Sequence, residues 1–311
     1  MRRDPRIFGY ERSRWSLELI LKECPFILTR CKSTLSHTLD RLGISYKRGR
    51  EYVHSPDPLY MEKLAWRDNV IARVLSAAAN GDHSEVVLFL DELTYYRQPT
   101  VTRAWTKRGT DRDCQELGRR SHRGNTPTRV AGALDLLDAR VTSWQGSCFN
   151  VGQVAKFYAE IWEAYPKTQR IWVVLDNWPV HFHPDARVGL EPQEWPWPFF
   201  LPPDWPRESS AKARAKWGGK NIPIQLMPLP TYASWLNPIE KLWRYLKQEV
   251  LHLHRMANDL AALRALVQAF LRDFAHGSDT LLSYVGLAKR APPGADREGS
   301  LGLSSTIQVV G

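Results

Sequence analysis

Three acidic residues stand at positions where a carboxylate could do chemistry. Asp91 follows the apolar run 86–90, and Asp176 follows the similar run 171–175. A continuous apolar run indicates a central strand covered on both faces, so a charge at its end is costly unless it faces a cleft, an ion or a partner. Each Asp taken alone is equally consistent with a helix cap or a loop residue. The repetition of the pattern favours a functional role for both.

The third acidic residue, Glu240, falls in the first turn of a predicted helix. Asn237 suits the N-cap of that helix and Pro238 suits its first position. Glu240 lies off the apolar stripe of the helix, together with Arg244 and Lys247. Two interpretations are open: a capping box in which Glu240 reaches back to the backbone of Asn237, or a carboxylate held at a rigid helix start to complete a metal site.

The elements that must position these residues follow an α/β pattern. Strands followed by alternating helices and strands predict a mixed sheet with helices packed on it. Because ligands bind at strand ends in such sheets, Asp91 and Asp176 are expected to lie in a site. The neighbour of Asp91, Glu92, is expected to face away from it, since successive strand residues alternate. Strands are predicted at 85–91, 100–107, 129–136, 139–145, 171–176 and 224–227, and helices at 59–79, 151–164, 237–252 and 257–275.

Residues 1–54 predict a small helix-turn-helix domain that binds DNA. Residues 1–50 carry 12 Lys and Arg against 5 Asp and Glu, which is most of the net charge of +10, and such a surplus favours a polyanionic partner. Ser13 is expected to begin one short helix, and Ser33 to cap a second that Gly43 ends. The alternative is a plain two-helix hairpin with a solvated run of charge. The residues expected to contact DNA are Ser33, Thr34, Ser36 and His37 on the second helix, and Lys47, Arg48 and Arg50 in a basic arm.

The remaining chain divides by composition. Two prolines within 55–58 mark a linker, so 55–82 is expected to be a linker and helix, 83–290 the main α/β domain, and 291–311 a flexible Gly- and Ser-rich tail. No run reaches the roughly 18 apolar residues of a membrane span, so a cytoplasmic, nucleoid-associated protein without membrane contact is expected. The four cysteines have no zinc-site spacing and are expected to be reduced thiols.

Three motifs resemble the signatures of mariner-superfamily transposases, specifically the bacterial insertion-sequence family 630. They are FLDE at 89–92, LDN at 175–177 with His181, and LPTYASWLNPIE at 229–240, and the resemblance covers about residues 8–290. It implies an RNase H-like fold with a catalytic, metal-binding triad of Asp91, Asp176 and Glu240. It also implies Mg²⁺, with Mn²⁺ as a substitute, and double-stranded DNA as partner, both inverted repeats and target, bound by a homodimer. Asn177, His181 and Asn237 are supporting candidates, each with a purely structural role as the alternative.

The chain departs from the family between the second and third motifs. Asp176 and Glu240 are 64 positions apart, about twice the usual spacing in the family, which predicts an insertion at about 183–221. This segment is rich in Trp and Pro, so a regular helix is excluded while free disorder is also disfavoured. It is expected to be a folded flap that packs on the sheet or on a second subunit, or else a segment that stacks on DNA.

The function predicted from these features is cut-and-paste transposition. The chain would bind inverted-repeat ends, cleave them and join the 3′ ends to target DNA by two-metal-ion phosphoryl transfer. Two alternatives are open: an RNase H-like nuclease that does not transfer strands, and a catalytically silent DNA-binding regulator from a degenerate element. The presence of all three acidic residues argues against the silent regulator.

Overall fold

A computed structural model describes residues 4–11, 14–46, 55–105, 115–197 and 201–288. The chain divides into two compact units, Met1–Val53 and His54–Gly311. Lys47, Arg48 and Arg50 of the predicted basic arm, and the predicted tail 291–311, lie outside the described residues. Within the described residues, no helix is both long enough and apolar enough to span a bilayer.

The first unit contains the two predicted short helices, α1 (Leu17–Glu23) and α2 (Lys32–Arg41). Helix α1 begins later than expected, at Leu17, and Ser16 accepts the capping hydrogen bond from the Leu19 amide. Ser13 lies outside the described residues. Helix α2 begins one residue before Ser33, which therefore lies in its first turn and does not cap it. The predicted contact residues Ser33, Thr34, Ser36 and His37 are exposed on α2. Their contact with DNA stays a prediction.

The second unit is built on one five-stranded mixed sheet. Its strands are β1 (Glu85–Tyr96), β2 (Pro127–Asp135), β3 (Val141–Gly146), β4 (Arg170–Leu175) and β5 (Ile224–Pro228). The order is β3-β2-β1-β4-β5, with β1 antiparallel to β2 and parallel to β4, and β4 parallel to β5.

The predicted strand at 100–107 is wrong within its described part, residues 100–105. Thr100 makes a single bridge to His252, and the residues that follow are irregular. Val101 is 79% exposed and Trp105 is fully exposed. The alternating pattern of this segment therefore finds no apolar face to cover, and no neighbouring strand takes up its backbone hydrogen bonds in a ladder.

Helices cover both faces of the sheet and form two apolar cores. One core lies beneath α3 (Tyr60–Ala79), α7 (Ile239–Leu246), α8 (Leu260–Arg272) and α9 (Asp279–Val285), and the other lies beneath α4 (Val151–Ala164) and the short α5 (Pro184–Arg187). The predicted helix 237–252 is α7 followed by a π-helical turn, Lys247–Leu251. Helix α3, close to the predicted helix at 59–79, packs on the sheet, and the segment 55–82 belongs to this unit.

The described part of the insertion folds against the outer edge of the sheet. It contains α5 and α6 (Ala211–Trp217), and Leu190 bridges to Ile222 beside β5. The Gln193 side chain donates to the Leu226 carbonyl at 2.8 Å and accepts from its amide at 2.9 Å. Such contacts satisfy edge groups that would otherwise be open to pairing. This geometry favours the interpretation of a folded flap on the sheet.

Candidate active site

Two of the predicted acidic residues lie on adjacent parallel strands. Asp91 lies within β1, which continues beyond the predicted end to Tyr96, and Asp176 directly follows β4. Phe89 of β1 pairs with Val174 of β4, so the same register continued for two residues places Asp91 beside Asp176. Phe89 and Val174 both belong to the core beneath α7. Because strand residues two apart share a face, Asp91 is directed to the side of Phe89. Asp176 follows the end of β4, and its Oδ1 accepts a hydrogen bond from the Trp178 amide at 2.9 Å. Asp91 is half-buried, whereas Asp176 is exposed at the end of its strand.

Asp91 is held by a tryptophan of the helix that carries Glu240. The Trp243 indole, 1% exposed, donates from Nε1 to Asp91 Oδ2 at 2.9 Å. Gly132 of β2 lies directly opposite Asp91, and a Cβ there would approach the Trp243 ring to 2.7 Å. A glycine at this position therefore makes room for the indole, and the indole fixes the carboxylate.

Two side-chain amides, one buried and one half-buried, connect the segments of the second and third motifs to each other and to the sheet. Asn237, 4% exposed, donates from Nδ2 to the carbonyl of Leu90 at 3.0 Å, next to Asp91. Asn177 donates from Nδ2 to the carbonyl of Leu229 at 2.5 Å. The capping-box interpretation is wrong, because the Asn237 amide N–H donates to the Ser234 carbonyl and not to Glu240. The Asn237 side chain bonds to β1, and the cap position is occupied by Pro238, which makes no side-chain bond. Glu240 is thereby left exposed at the start of α7.

The carboxylates repel one another across a small space. Burial raises the pKa of Asp91 to about 8, and the negative charges of Glu240, Glu92 and Asp176 add to the shift. Burial also raises the pKa of Glu240; Lys247 and Arg244 oppose this effect, and Asp176 adds to it. A cluster that resists carrying its full negative charge favours the binding of protons or of cations.

The opposite face of β1 presents a different arrangement. Glu92 faces away from Asp91, as predicted, toward the buried ring of His181, whose Nε2 lies 3.4 Å from Glu92 Oε1 and 3.7 Å from Asp176 Oδ1. The hydroxyl of Tyr158 lies 3.4 Å from Nδ1 of the same ring. Burial opposes the charged imidazole, but the charges of Glu92 and Asp176 outweigh it and raise the pKa of His181.

Comparison with known proteins identifies the family. Residues 86–264 match the family described as DDE superfamily endonuclease. The chain belongs to the DDE superfamily of endonucleases. A protein of Shigella sonnei, the insertion element IS630 uncharacterized 39 kDa protein, is 22% identical over 261 residues, which are 83% of this chain and 64% of that protein. The chain therefore spans somewhat less than two thirds of the length of this curated relative.

Solved structures resemble this DDE endonuclease in fold. The Mos1 mariner paired-end complex with Mn has a TM-score of 0.55 at 14% identity, over 90% of this chain and 73% of that chain. The Mos1 transposase paired-end complex with left transposon end has a TM-score of 0.53 at 14% identity, over 90% and 72%. The RNase H-like fold and the resemblance to mariner and insertion-sequence family 630 proteins are confirmed.

One set of side chains in this chain brings its ligand atoms together as a divalent cation requires. Ligand atoms of Glu92, Asp176 and His181 lie within 4.8 Å of one another, and neither Asp91 nor Glu240 belongs to that set. Buried Glu92 Oε1 and His181 Nε2 make no hydrogen bond among the described residues. The set Asp91, Asp176 and Glu240 offers only oxygen donors, as Mg²⁺ prefers, whereas the set with an imidazole also suits Mn²⁺ or Zn²⁺. Asp176 belongs to both sets.

Sequence reasoning missed several residues that shape this site. Trp243 was predicted only as part of the apolar stripe, although its place one turn after Glu240 is a signal that it could reach Asp91. Glu92 was expected only to face away, and Tyr158 was not singled out. No signal in a single sequence marks Gly132, because its importance comes from the indole that packs against it.

Proposed function

We propose that this chain is a DNA transposase that cleaves the ends of a mobile element and joins them to target DNA. The observation that supports the proposal is that the negative charges of Glu240 and Asp176 raise the pKa of Asp91, and that the charge of Asp176 raises the pKa of Glu240, so the three carboxylates lie within electrostatic reach of one another. An insertion-element relative and a likeness to a transposase complexed with a transposon end support it. The proposed partner is double-stranded DNA, both inverted repeats and target, near the nucleoid in the bacterial cytoplasm.

Divalent cations are proposed as cofactors, Mg²⁺ with Mn²⁺ as a substitute, held by Asp91, Asp176 and Glu240. A similar fold is known in a complex with Mn, and the raised pKa of Asp91 supports the need for positive charge at this point. When bound in pairs, such cations activate an attacking oxygen and stabilise the leaving oxygen of an in-line displacement. The reaction is proposed to begin with hydrolysis of a phosphodiester by water, which gives a 3′-OH and a 5′-phosphate. It is proposed to end with attack of that 3′-OH on a target phosphodiester, where the new P–O bond replaces the bond to the target's 3′ oxygen, which leaves as a 3′-OH.

The chain's own residues keep this arrangement in place. Trp243 holds Asp91 through its indole N–H, and Asn237 and Asn177 anchor the third motif to the strand ends. His181, whose Nε2 lies between Glu92 and Asp176, is proposed to orient Asp176. Outer residues of this kind matter because a displaced ligand loses both cation affinity and alignment.

The first unit is proposed to bind the inverted repeats. Ser33, Thr34, Ser36 and His37 are exposed on one short helix and offer hydrogen-bonding groups to phosphates and bases. The basic arm with Lys47, Arg48 and Arg50 is proposed to add minor-groove contacts. A homodimer is proposed to hold two ends together, as the family resemblance implies.

The test is cleavage and joining by the full chain in Mg²⁺ or Mn²⁺. Nicking of a supercoiled plasmid measures hydrolysis, and transfer of a labelled duplex with free 3′-OH ends into that plasmid measures joining. Asp176→Asn is expected to lose both activities, whereas Asp204→Asn, at an exposed position in the insertion, is expected to retain them. Equal activity of Asp176→Asn would contradict the triad. Nicking without joining would indicate the nuclease, and no reaction in any metal would favour the silent regulator.

A further inference from the structure

A groove beside Glu240 has a chemistry that the proposed triad does not use. It has a volume of about 420 Å³, within the range of ligand sites, and lies between the turn Ser234–Leu236 and helix α7 with its π-helical continuation. The residues that line this Glu240 groove include Ser234, Trp235, Glu240, Arg244, Lys247 and His252.

The charges of the Glu240 groove favour an anion. Arg244 and Lys247 follow Glu240 at positions four and seven along one helical face, and both are exposed. Among the described residues, neither side chain forms an ion pair. The positive charges of both side chains oppose the rise in the pKa of Glu240 that burial causes. The two cationic side chains offer charge-assisted hydrogen bonds to a negatively charged group. A phosphate that continues away from the cleaved phosphodiester fits this description.

One exposed aromatic ring lines the same groove, and a second exposed ring comes three residues earlier in the sequence. Trp235 lines it and is 51% exposed, and nearby Tyr232 is 74% exposed. The Tyr232 backbone has a φ of +56°, a conformation that is uncommon for a residue with a bulky side chain. Strained residues of this kind persist where the surrounding structure holds them. The rings are therefore presented to solvent by a loop that is prevented from relaxing.

The structure shows what holds that loop. Thr231 donates from its amide to Asp57 Oδ2 at 2.9 Å, and its carbonyl accepts from the Ser55 hydroxyl at 2.6 Å. Asp57 also pairs with Lys63 at 2.7 Å, with side chains only 4% and 10% exposed. A rigid exposed ring loses little entropy when a planar ligand stacks on it.

We infer that the Glu240 groove binds unpaired nucleotides of the DNA strand that leads from the reaction centre, with phosphates on Arg244 and Lys247 and a base stacked on Trp235. Stacking on a side chain requires a base whose face is open, which excludes bases inside an intact duplex. This inference rests on the proposed function and specifies which part of the DNA the catalytic unit holds.

The test measures binding of a labelled single-stranded hexanucleotide to the full chain in EDTA, where no cleavage occurs. Arg244→Gln and Lys247→Gln are each expected to reduce the slope of log affinity against log salt by about 0.7, the value for one phosphate contact with single strands. Lys156→Gln, an exposed lysine on α4 at the other face of the sheet, is the matched control and should leave the slope unchanged. Unchanged slopes for both groove variants would overturn the inference.

Trp235 is tested with a base analogue. Trp235→Leu should weaken hexanucleotide binding by about 10-fold and abolish the quenching of a 2-aminopurine base, whereas Trp235→Phe should keep most of both. If Trp235→Leu instead dissociates a dimer in sedimentation and binds DNA as the parent does, the ring belongs to an interface between copies and the inference is wrong.

The two proposals fail in different ways. Groove variants that bind like the parent, in a chain that still cleaves DNA, would overturn the groove alone. Weakened groove variants in a chain that cleaves in no metal would overturn the proposed function alone.

Discussion

The neighbouring acidic residues Asp91 and Glu92 lie on opposite faces of β1 and meet opposite environments. Asp91 faces other carboxylates and accepts a hydrogen bond from the neutral indole of Trp243, and among the described residues it forms no ion pair. Glu92 faces His181, and the charges of Glu92 and Asp176 raise the pKa of this imidazole, which favours its positively charged form. Adjacent acids of one motif therefore have different roles: Asp91 is suited to binding an external cation, and Glu92 is suited to holding His181 in place.

The largest expected effect separates the two acids directly. Asp91→Asn should reduce metal-dependent plasmid nicking by at least about 1,000-fold, because a cation ligand that stabilises transition-state charge is lost. Glu92→Gln should reduce it much less, by about 10-fold to 100-fold, as for residues that orient a ligand. Nicking rates under single-turnover conditions measure the difference. Equal losses for the two variants would remove the distinction between the faces.

The next prediction concerns where a cation binds relative to His181. His181→Gln should lower activity by about 10-fold to 100-fold, while Tyr158→Phe, which removes only a hydroxyl, should have a smaller effect. Electron spin-echo spectroscopy of Mn²⁺ bound to the full chain should show no coupling to an imidazole nitrogen if Asp91, Asp176 and Glu240 hold the ion. A nitrogen coupling that disappears in His181→Gln would place the ion at Glu92, Asp176 and His181 instead.

Packing behind Asp91 should give a smaller effect, on stability. Gly132→Ala places a methyl group against the Trp243 ring, at a distance of 2.7 Å for the Cβ, and the rigid strand leaves little space to adjust. The free energy of unfolding should fall by about 1–3 kcal/mol, as expected for an overpacked core. Urea unfolding measures it. Gly124→Ala, where a Cβ meets no atom within 4 Å, is the control and should unfold like the parent.

The smallest expected effect is the pH dependence of the metal-free chain. The pKa of Asp91 is raised to about 8 in the folded state, above its ordinary value of 3.8, so the folded chain binds this proton more tightly than the unfolded chain. The resulting stabilisation is complete below about pH 4 and is lost as the pH rises through about 8. At pH 9 in EDTA, Asp91→Asn should therefore unfold about 2–4 °C above the parent, a shift typical of about 1 kcal/mol. A variant with no gain at high pH would show that Asp91 is adequately compensated without metal.

Much of the site follows from local sequence patterns. The apolar runs that end at Asp91 and Asp176 predicted two buried strands, and strand alternation predicted that Glu92 faces away. The same reasoning failed for 100–105, whose alternating pattern finds no partner strand or apolar surface. It also failed for Asn237, a good N-cap by type, because a nearby strand carbonyl competes for its amide.

The sequence by itself determined which residues carry charge, where strands and helices form, and which family the motifs resemble, because these depend on residue type and short-range spacing. Only the tertiary structure decided that Trp243 holds Asp91, that Gly132 makes room for it, and that His181 lies between Glu92 and Asp176. These contacts join residues as far as 152 positions apart. No local pattern specifies them, since they arise from the register of β1 against its neighbours and from the face on which each helix packs.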